Sequence, residues 1–182
     1  ARAHLMPLIQ APNVSELLIV MDGAMGNWPK MRRLPVPRVL RWAGPRAITR
    51  SIWAMVVACK ERPDVVMGYS FFPPGFFSLL AARLAGATAI VQLAGGPVEI
   101  ESGGLVTETP MLPERMRERL VGLCKRLCDH FDVIIVRGAG AASYVRRHSR
   151  PGTVEIIPGS VDPNRFPPAA DYARSAGIAF VG

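Results

Sequence analysis

Two short apolar segments joined by an apolar helical segment, within residues 63–96, constrain the fold more than any other part of this sequence. Residues 65–67 have a turn signal on each side, residues 76–84 are long enough for a helix, and residues 89–93 end close to two glycines. Short buried segments that a helix of this length connects form a right-handed βαβ unit, because parallel strands need a crossover connection. The sequence therefore predicts an α/β fold built on a parallel sheet.

The carboxyl ends of the two predicted strands are the first places to expect a ligand, because open parallel sheets bind ligands beyond that edge. Tyr69 and Ser70 follow the first strand, and Gly95 and Gly96 follow the second. A glycine pair forms a tight turn, or it lets backbone amides approach a hydroxyl group or a phosphate closely. Both interpretations of the glycine pair stay open from the sequence.

Two further groups of polar residues follow predicted strands. Glu99 and Glu101 lie just beyond the glycine pair, where they would orient ligand hydroxyls, supply a base or remain solvated loop charges. Arg137 and Gly138 follow a predicted strand at residues 133–136 and precede a helix, so a guanidinium and helix N-terminal amides would meet at one anion site. The glycine spacing there does not match a dinucleotide-binding fingerprint.

The chain is strongly basic, with a formal net charge of +8. Such a surface favours anionic partners, which include nucleotides, nucleic acid and lipid head groups. Seven cations follow one another without an intervening acid: Lys30, Arg32, Arg33, Arg38, Arg41, Arg46 and Arg50. The sequence holds no nucleic-acid-binding motif and no metal-ligand spacing, so neither a nucleic-acid partner nor a metal site is predicted.

Residues 46–61 are predicted to form an amphipathic helix, since apolar side chains recur there at helical spacing. Its buried face is assigned to Ile48, Ile52, Met55, Val56 and Cys59. Its exposed face is assigned to Arg46, Arg50, Trp53, Val57 and Lys60. Because cations and a tryptophan share that exposed face, we expect Arg46, Arg50 and Trp53 to contact an anionic membrane surface. The alternatives are solvated arginines with buried tryptophans, or a soluble acidic ligand.

The remaining elements follow from the same kinds of pattern. The chain is predicted to open with a helix and then to form a strand at 17–21, an irregular segment at 22–44, a loop to about residue 113, a helix at 114–128, a strand at 133–136, a helix ending near residue 148 and a strand at 154–157. Cys124 and Cys128 fall on the apolar stripe of the predicted helix at 114–128. This position indicates that both cysteines pack in the core. Three cysteines do not form a disulfide framework, which fits a reducing compartment.

Three stretches of the sequence are similar to a known family of enzymes. Residues 62–66 (RPDVV) and 128–136 (CDHFDVIIV) resemble two of its strand motifs, and residues 156–166 (IIPGSVDPNRF) with 178–182 (IAFVG) resemble its interdomain segment. In these motifs and in their order, the chain resembles the amino-terminal half of retaining glycosyltransferases of the two-domain GT-B architecture, family four. The resemblance implies a Rossmann-like parallel sheet with helices on both faces.

The resemblance also implies how the chain is divided. Residues 1–157 would form a Rossmann-like acceptor-side domain whose first strand is missing, residues 158–176 an interdomain connector, and residues 177–182 the first strand of a second domain. The chain would then be truncated at both ends. The complete enzyme would transfer a hexosyl group from a nucleotide sugar to a lipid-linked or polysaccharide acceptor with retention. This chain alone is expected to be inactive, because the nucleotide sugar would bind through the absent second domain.

The expected partners and site residues combine the resemblance with the argument about the sheet edge. The nucleotide sugar is a substrate, and no cofactor is implied. A glycan or lipid-linked acceptor is expected to contact Tyr69, Ser70, Gly95, Gly96, Glu99 and Glu101. The donor phosphates are expected near Arg137 and Gly138. The expected location is cytoplasmic. The basic segment also suggests peripheral attachment to the inner face of the membrane.

The sequence also departs from the family pattern. Ala94 stands where the family often has a histidine that faces the reacting sugar, so no catalytic residue is predicted. Two other functions therefore stay open. One is a non-hydrolysing nucleotide-sugar epimerase of the same architecture, which needs no acceptor. The other is a non-catalytic Rossmann-like module that binds an anion.

Overall fold

The computed structural model describes residues 2–21, 28–102 and 114–158. The first part of the chain contains α1 (Arg2–Gln10), β1 (Leu17–Ile19), β2 (Met31–Arg33), α2 (Arg38–Arg41), α3 (Arg46–Glu61), β3 (Val65–Tyr69) and α4 (Phe76–Ala85). The second part contains β4 (Thr88–Leu93), α5 (Val98–Glu101), α6 (Glu114–Cys128), β5 (Val133–Val136), α7 (Ala139–His148) and β6 (Thr153–Ile156). A kinked helical turn, Phe71–Gly75, leads from β3 into α4.

Four parallel strands form the main sheet in the order β3-β4-β5-β6, and β1 and β2 form a separate parallel pair. The register brings Gly68, Val91, Ile134 and Val154 into one row across the main sheet. Because each strand lies beside its predecessor in the sequence, right-handed crossovers place α4, α6 and α7 on the same face. The predicted fold class, an α/β Rossmann-like parallel sheet, is confirmed. Helices were expected on both faces; α4, α6 and α7 cover one face, and helices on the other face stay a prediction.

The hydrophobic core lies between the main sheet and these helices. Val91 and Ile134 are fully buried and belong to one cluster with Ala82, whose small side chain lets α4 approach the sheet closely. Phe71 and Phe131 are also buried, and their rings pack edge to face with centroids 6.3 Å apart. Burying a side chain of this size contributes about 1.5–3 kcal/mol, so the turn after β3 is anchored in the core.

Helix α3 begins and ends where the sequence predicts. Pro45 precedes its first turn, where the missing N–H leaves no helical hydrogen bond unmade. Arg62 ends the helix in the left-handed conformation, and its N–H donates to the carbonyl of Ala58. The helix therefore ends on both sides where its apolar periodicity ends, and Pro45 and Arg62 are the residues that stop it there.

The predicted faces of α3 are only partly correct: the cations of its exposed face are exposed, but several apolar residues are on the wrong face. Val57, predicted exposed, is 7% exposed, whereas Ile48, Val56 and Cys59, predicted buried, are exposed. Trp53, also predicted exposed, is half-buried and its indole nitrogen is shielded from solvent. The cause is that α3 packs against α4 and the kinked turn. Its inward stripe is therefore set by the surface of a neighbouring helix and not by its own largest side chains.

Two polar side chains lie on the buried side of α3. The hydroxyl of Thr49 donates to the carbonyl of Arg46 at 3.3 Å, and the hydroxyl of Ser51 donates to the carbonyl of Ala47 at 2.8 Å. A buried hydroxyl that donates a hydrogen bond to a carbonyl of its own helix pays only a small desolvation cost. Hydrophobic periodicity does not count such residues as buried. The predicted buried face was therefore displaced around the helix from the observed one.

Residues 22–44 were predicted to be irregular, yet they contain β2 and α2; residues 22–27 lie outside the described part of the chain. In β2, the guanidinium of Arg32 contacts Glu16 Oε1 at 2.8 Å and Glu61 Oε2 at 2.6 Å. Hydrogen bonds with Glu61 and Glu16 hold the pKa of Arg32 above its usual value, and Arg32 lowers the pKa of Glu61. Arg32 thereby joins the β1–β2 pair to the end of α3, and two carboxylates neutralise its charge.

The other predicted elements agree closely with the structure, except that the loop after β4 contains the short helix α5. The predicted helix at 114–128 and the strand at 133–136 are confirmed. Residues 103–113, and the predicted connector and final strand from residue 159 onward, lie outside the described residues. Within the described ranges, no helix combines the length and apolar character needed to cross a membrane.

The three cysteines provide a test of the core. Cys124 and Cys128 are buried as predicted, and burial raises the pKa of Cys124 to about 11 and that of Cys128 to about 12. Cys59 is exposed. At neutral pH we expect a thiol reagent to modify Cys59 rapidly in the folded protein and all three cysteines in denaturant, as measured by mass spectrometry. Rapid modification of Cys124 in the folded protein would contradict the packing of α6.

The thiols of Cys124 and Cys128 also make the stability of the fold depend on pH. In the unfolded chain they deprotonate near pH 9.0, whereas in the folded chain they stay protonated to a higher pH. The unfolded state therefore binds fewer protons above pH 9, and stability falls with rising pH in that range. This contribution is complete below about pH 9 and is lost as the pH rises toward the folded-state pKa values.

Candidate functional site

The carboxyl ends of β3, β4 and β5 meet at one edge of the main sheet. There Arg137, which follows β5, donates from Nη2 to the hydroxyl of Tyr69, the last residue of β3, at 2.9 Å. Because β4 lies between those strands, this hydrogen bond spans β4 close to its carboxyl end, where Gln92 is the register partner of Tyr69. Both side chains are exposed. The structure thus brings together two residues that the sequence assigned to separate ligand groups.

Glu99 is 1% exposed, which excludes one of the three alternatives for it, a solvated loop charge. Its Oε2 accepts a hydrogen bond from the backbone N–H of Phe71 at 2.7 Å, and its Oε1 accepts one from the N–H of Gly95 at 2.5 Å. These amides belong to the turns that follow β3 and β4. We call this arrangement the Glu99 clamp. Since both oxygens accept hydrogen bonds from backbone amides, Glu99 fixes the two turns, and its predicted contact with an acceptor stays a prediction.

Ser70 has the least common backbone conformation at this edge, with φ 73° and ψ 157°. Residues other than glycine rarely adopt these backbone angles, and such backbone strain is concentrated at ligand sites. Its N–H donates to the carbonyl of Gln92 at 2.9 Å, and its carbonyl accepts from the N–H of Gly75 at 3.0 Å. The next amide, that of Phe71, is held by Glu99. The surrounding hydrogen bonds therefore fix Ser70 at the mouth of the site.

The amino terminus of α7 lies beside Arg137. A Cβ added at Gly138 or Gly140 would meet no atom within 4 Å, so the first amides of α7 lie next to open space. The first turn carries no acidic side chain. A ten-residue helix attracts anions at this end, and the adjacent guanidinium strengthens that attraction. These features can hold a phosphate.

The remaining predicted residues lie around this edge. Gly96 has φ 68°, and a Cβ there would lie 3.7 Å from the Cβ of Ala141, so the turn after β4 borders α7. Glu101 is exposed, and its carboxylate lies near the hydroxyl of Tyr144. Burial and the negative charge of Glu101 raise the pKa of Tyr144. With Glu99 committed to backbone amides, Glu101 is the predicted acid that stays accessible.

The predicted membrane contacts divide into two groups. Arg46 and Arg50 are exposed. Trp53 is half-buried and does not present its ring to solvent as the sequence predicted. The most exposed apolar residues of this region are instead Trp42, at 91%, and Val39, at 77%. Both lie on or beside α2, within the segment predicted to be irregular.

A shallow depression lies at the opposite, amino-terminal edge of the sheet, near Arg83, Thr88 and Asp132. The guanidinium of Arg83 donates to the carbonyl of His130, and Asp132 accepts from the N–H of Ala89. These polar groups serve the fold. The carboxyl edge is therefore the better candidate for a ligand site.

Sequence reasoning missed three parts of this arrangement. The Glu99 clamp depends on a contact across 28 residues, and no local pattern reports it. Glu101 and Tyr144 lie on two helices, and only the fold brings these two side chains near each other. The exposure of Trp42 had a sequence signal, since proline and glycine surround it, but that signal was assigned to an irregular loop.

The fold and this edge together define a Rossmann-like domain whose carboxyl edge is the candidate ligand site. The family model described as "Glycosyl transferase 4-like domain" matches residues 21–159, which is well over half of the chain. The chain belongs to this glycosyltransferase family. A comparison with curated proteins gives no match. Transfer of a sugar from a donor to an acceptor is therefore the general function that the domain serves.

Proposed function

We propose that this chain is the acceptor-side domain of a retaining hexosyltransferase, which uses a nucleotide sugar as donor and a lipid-linked or polysaccharide sugar as acceptor. The family match supports a glycosyltransferase over the epimerase and the non-catalytic module. The observation that carries the finer proposal is the junction of Arg137 with Tyr69 next to the open amino terminus of α7. This junction places positive charge where two strand ends and a helix N-terminus converge.

Positive charge at this position suits the chemistry of glycosyl transfer from a nucleotide sugar. The leaving group is a nucleoside diphosphate, and preorganised cations and amides lower the barrier when negative charge develops on it. Arg137 supplies a guanidinium, which binds phosphate oxygens through two parallel hydrogen bonds. The amides of α7 supply further donors. In this proposal the second domain holds the nucleotide, and Arg137 contacts the diphosphate or the acceptor from this side.

The acceptor lies across the turns that follow β3 and β4 in this proposal. Tyr69, Ser70, Gly95 and Gly96 border that space, and Glu101 offers an accessible carboxylate for sugar hydroxyls. The Glu99 clamp holds both turns in place, so the surface that meets the acceptor is preorganised. Preorganisation reduces the entropy lost when a polar substrate binds.

Arg137→Ala tests this assignment in the full-length protein encoded by the parent reading frame. We expect kcat/KM for glycosyl transfer to fall roughly 10- to 100-fold, because a charged hydrogen bond to the substrate is lost. Arg137→Lys should retain more activity than Arg137→Ala, because lysine keeps the positive charge. It should not reach wild-type activity, because lysine lacks the bidentate hydrogen bonds of a guanidinium. The assay combines a panel of nucleotide sugars with glycan and lipid-linked acceptors, and NMR of the product determines whether the anomeric configuration is retained.

Arg126→Ala is the matched control. Arg126 is exposed in the last turn of α6, which precedes β5 and so lies at the opposite edge of the sheet. Its removal should leave kcat/KM unchanged. Conversion of the nucleotide sugar in the absence of any acceptor would favour the epimerase instead. Inversion of the anomeric centre would overturn the retaining assignment, and equal activity of Arg137→Ala and wild type would remove Arg137 from the site.

A further inference from the structure

A buried glutamine lies in β4, one of the two inner strands of the main sheet. Gln92, near the carboxyl end of that strand, is 7% exposed. Its neighbours in the sequence, Val91 and Leu93, belong to the hydrophobic core beneath the helices. Because successive side chains of a strand point to opposite faces, the side chain of Gln92 lies on the face of the sheet that turns away from α4, α6 and α7.

The side-chain amide of Gln92 makes no hydrogen bond in the described part of the chain. The other buried polar side chains described there each hydrogen bond with a backbone group: Thr49, Ser51, Ser78, Glu99 and Ser149. The amide of Gln92 is also not among the polar atoms that are fully shielded from solvent, so the small exposed part of this residue includes the amide. A buried amide without a protein partner is uncommon and indicates that a ligand or water completes its hydrogen bonds.

The amide of Gln92 lies at the candidate site. Its residue is the register partner of Tyr69 on β3, and its carbonyl accepts a hydrogen bond from the N–H of Ser70 at 2.9 Å. On the other side its register partner is Ile135, two residues before Arg137. The hydrogen bond from Arg137 to the hydroxyl of Tyr69 therefore crosses the strand that carries Gln92. A ligand that contacts the amide would have a guanidinium and a phenol hydroxyl as its nearest polar neighbours.

The amide is reached from the side of β3. Met67 and Tyr69 alternate along that strand and point to the same face as Gln92, since Tyr69 is its register partner. They are 42% and 47% exposed, so this face of the sheet is open to solvent along β3. A ring-sized ligand lying against β3 would place its polar edge at Gln92.

We propose that Gln92 binds two adjacent hydroxyl groups of the acceptor sugar and is a specificity-determining residue of the transfer reaction; this inference rests on the proposed function. A glutamine amide carries an oxygen that accepts hydrogen bonds and an NH₂ group that donates them. One sugar hydroxyl donates to Oε1, and its neighbour accepts from Nε2. A phosphate suits this position less well, because its oxygens would leave the amide oxygen without a donor.

Gln92→Met in the full-length protein separates this role from a structural one. Methionine is unbranched and of similar length, but it cannot replace the hydrogen bonds of the amide. We expect an unchanged or higher unfolding temperature, because no hydrogen bond within the described chain is lost. In contrast, kcat/KM for the acceptor sugar should fall roughly 10- to 100-fold, because two hydrogen bonds to the substrate are lost.

Deoxy sugars identify the hydroxyl groups that Gln92 contacts. The probes are methyl glycosides of glucose, galactose and mannose with their monodeoxy derivatives, and their binding is measured by saturation-transfer NMR without donor and by glycosyl transfer with donor. Wild type should prefer the parent glycoside roughly 10-fold over two derivatives that lack neighbouring hydroxyls. Gln92→Met should lose that preference, since the partner of those hydroxyls is gone.

Gln10→Met is the matched control. Gln10 is exposed at the end of α1, so the same chemical change should alter neither unfolding temperature nor the preference among deoxy sugars. A clearly lower unfolding temperature of Gln92→Met would show that the amide serves the fold and would overturn the inference, as would the same deoxy preference in Gln92→Met and wild type. Wild type that binds the glycosides in NMR but transfers no sugar to them would contradict the proposed function and not the contact with Gln92. Wild type that neither binds nor uses any of these glycosides would overturn both.

Discussion

Replacing Glu99 with alanine is expected to lower the free energy of unfolding by about 3 kcal/mol, because two backbone amides lose their acceptor. The carboxylate receives the N–H groups of Phe71 and Gly95, and its side chain is nearly inaccessible to solvent. Each unsatisfied buried donor costs roughly 1–3 kcal/mol. The turns after β3 and β4 also lose their common attachment. Urea denaturation followed by circular dichroism measures the change.

Two companion variants make the prediction specific. Glu99→Gln keeps one carbonyl acceptor but turns an amide NH₂ toward the other donor, so its loss of stability should be intermediate. Glu118→Ala removes an exposed carboxylate from α6 and should change stability by less than about 0.5 kcal/mol. If Glu99→Ala and Glu118→Ala unfolded at the same urea concentration, the Glu99 clamp would not contribute to stability. The assignment of Glu99 as a structural group would then be wrong.

Gly68→Ala is expected to destabilise the protein by about 3 kcal/mol, since its methyl group has no space. A Cβ at Gly68 would lie 2.6 Å from the Cα of Gly75 and 2.6 Å from Oγ of Ser78. Gly75 Cα belongs to the backbone of the kinked turn, which therefore has to move away from β3. That turn carries Phe71 into the core and borders the candidate site. Thermal and urea unfolding measure the effect, and loss of soluble protein is the extreme outcome.

Gly122→Ala is the same chemical change at a position with space. Gly122 lies in the middle of α6, and a Cβ there would meet no atom within 4 Å. Alanine loses less backbone entropy than glycine on forming a helix, so stability should rise by about 0.5–1 kcal/mol. The two alanine substitutions should therefore shift stability in opposite directions. A destabilising Gly122→Ala, or a neutral Gly68→Ala, would contradict the packing around these glycines.

Local pattern was sufficient for most of the elements. The apolar residues of β5 stand between Asp132 and Arg137, so both ends of the strand are visible in the sequence. Helices α3 and α6 have long periodic stretches, and their predicted bounds agree with the structure. The parallel pairing of β3 with β4 also followed, because a helix between two short buried segments permits few other topologies.

What the sequence did not reveal depends on contacts between distant segments. Whether Glu99 is solvated or buried is decided by the position of the Phe71 amide, which lies 28 residues earlier. The inward face of α3 is decided by α4, not by the pattern of α3 itself. Arg32 looked like one of seven similar cations, but Glu16 and Glu61 neutralise it from both sides. Residue type alone does not distinguish these outcomes, because each side chain is chemically suited to both environments.

The strand order of the main sheet has a consequence for how the protein is made. Each strand from β4 to β6 pairs with the strand that precedes it in the sequence. During synthesis, every new strand therefore leaves the ribosome after its neighbour, and no strand has to wait for a partner that has yet to be translated. Pairings that are close along the chain also close small loops and form quickly. Assembly of this sheet can keep pace with elongation, one βα unit at a time.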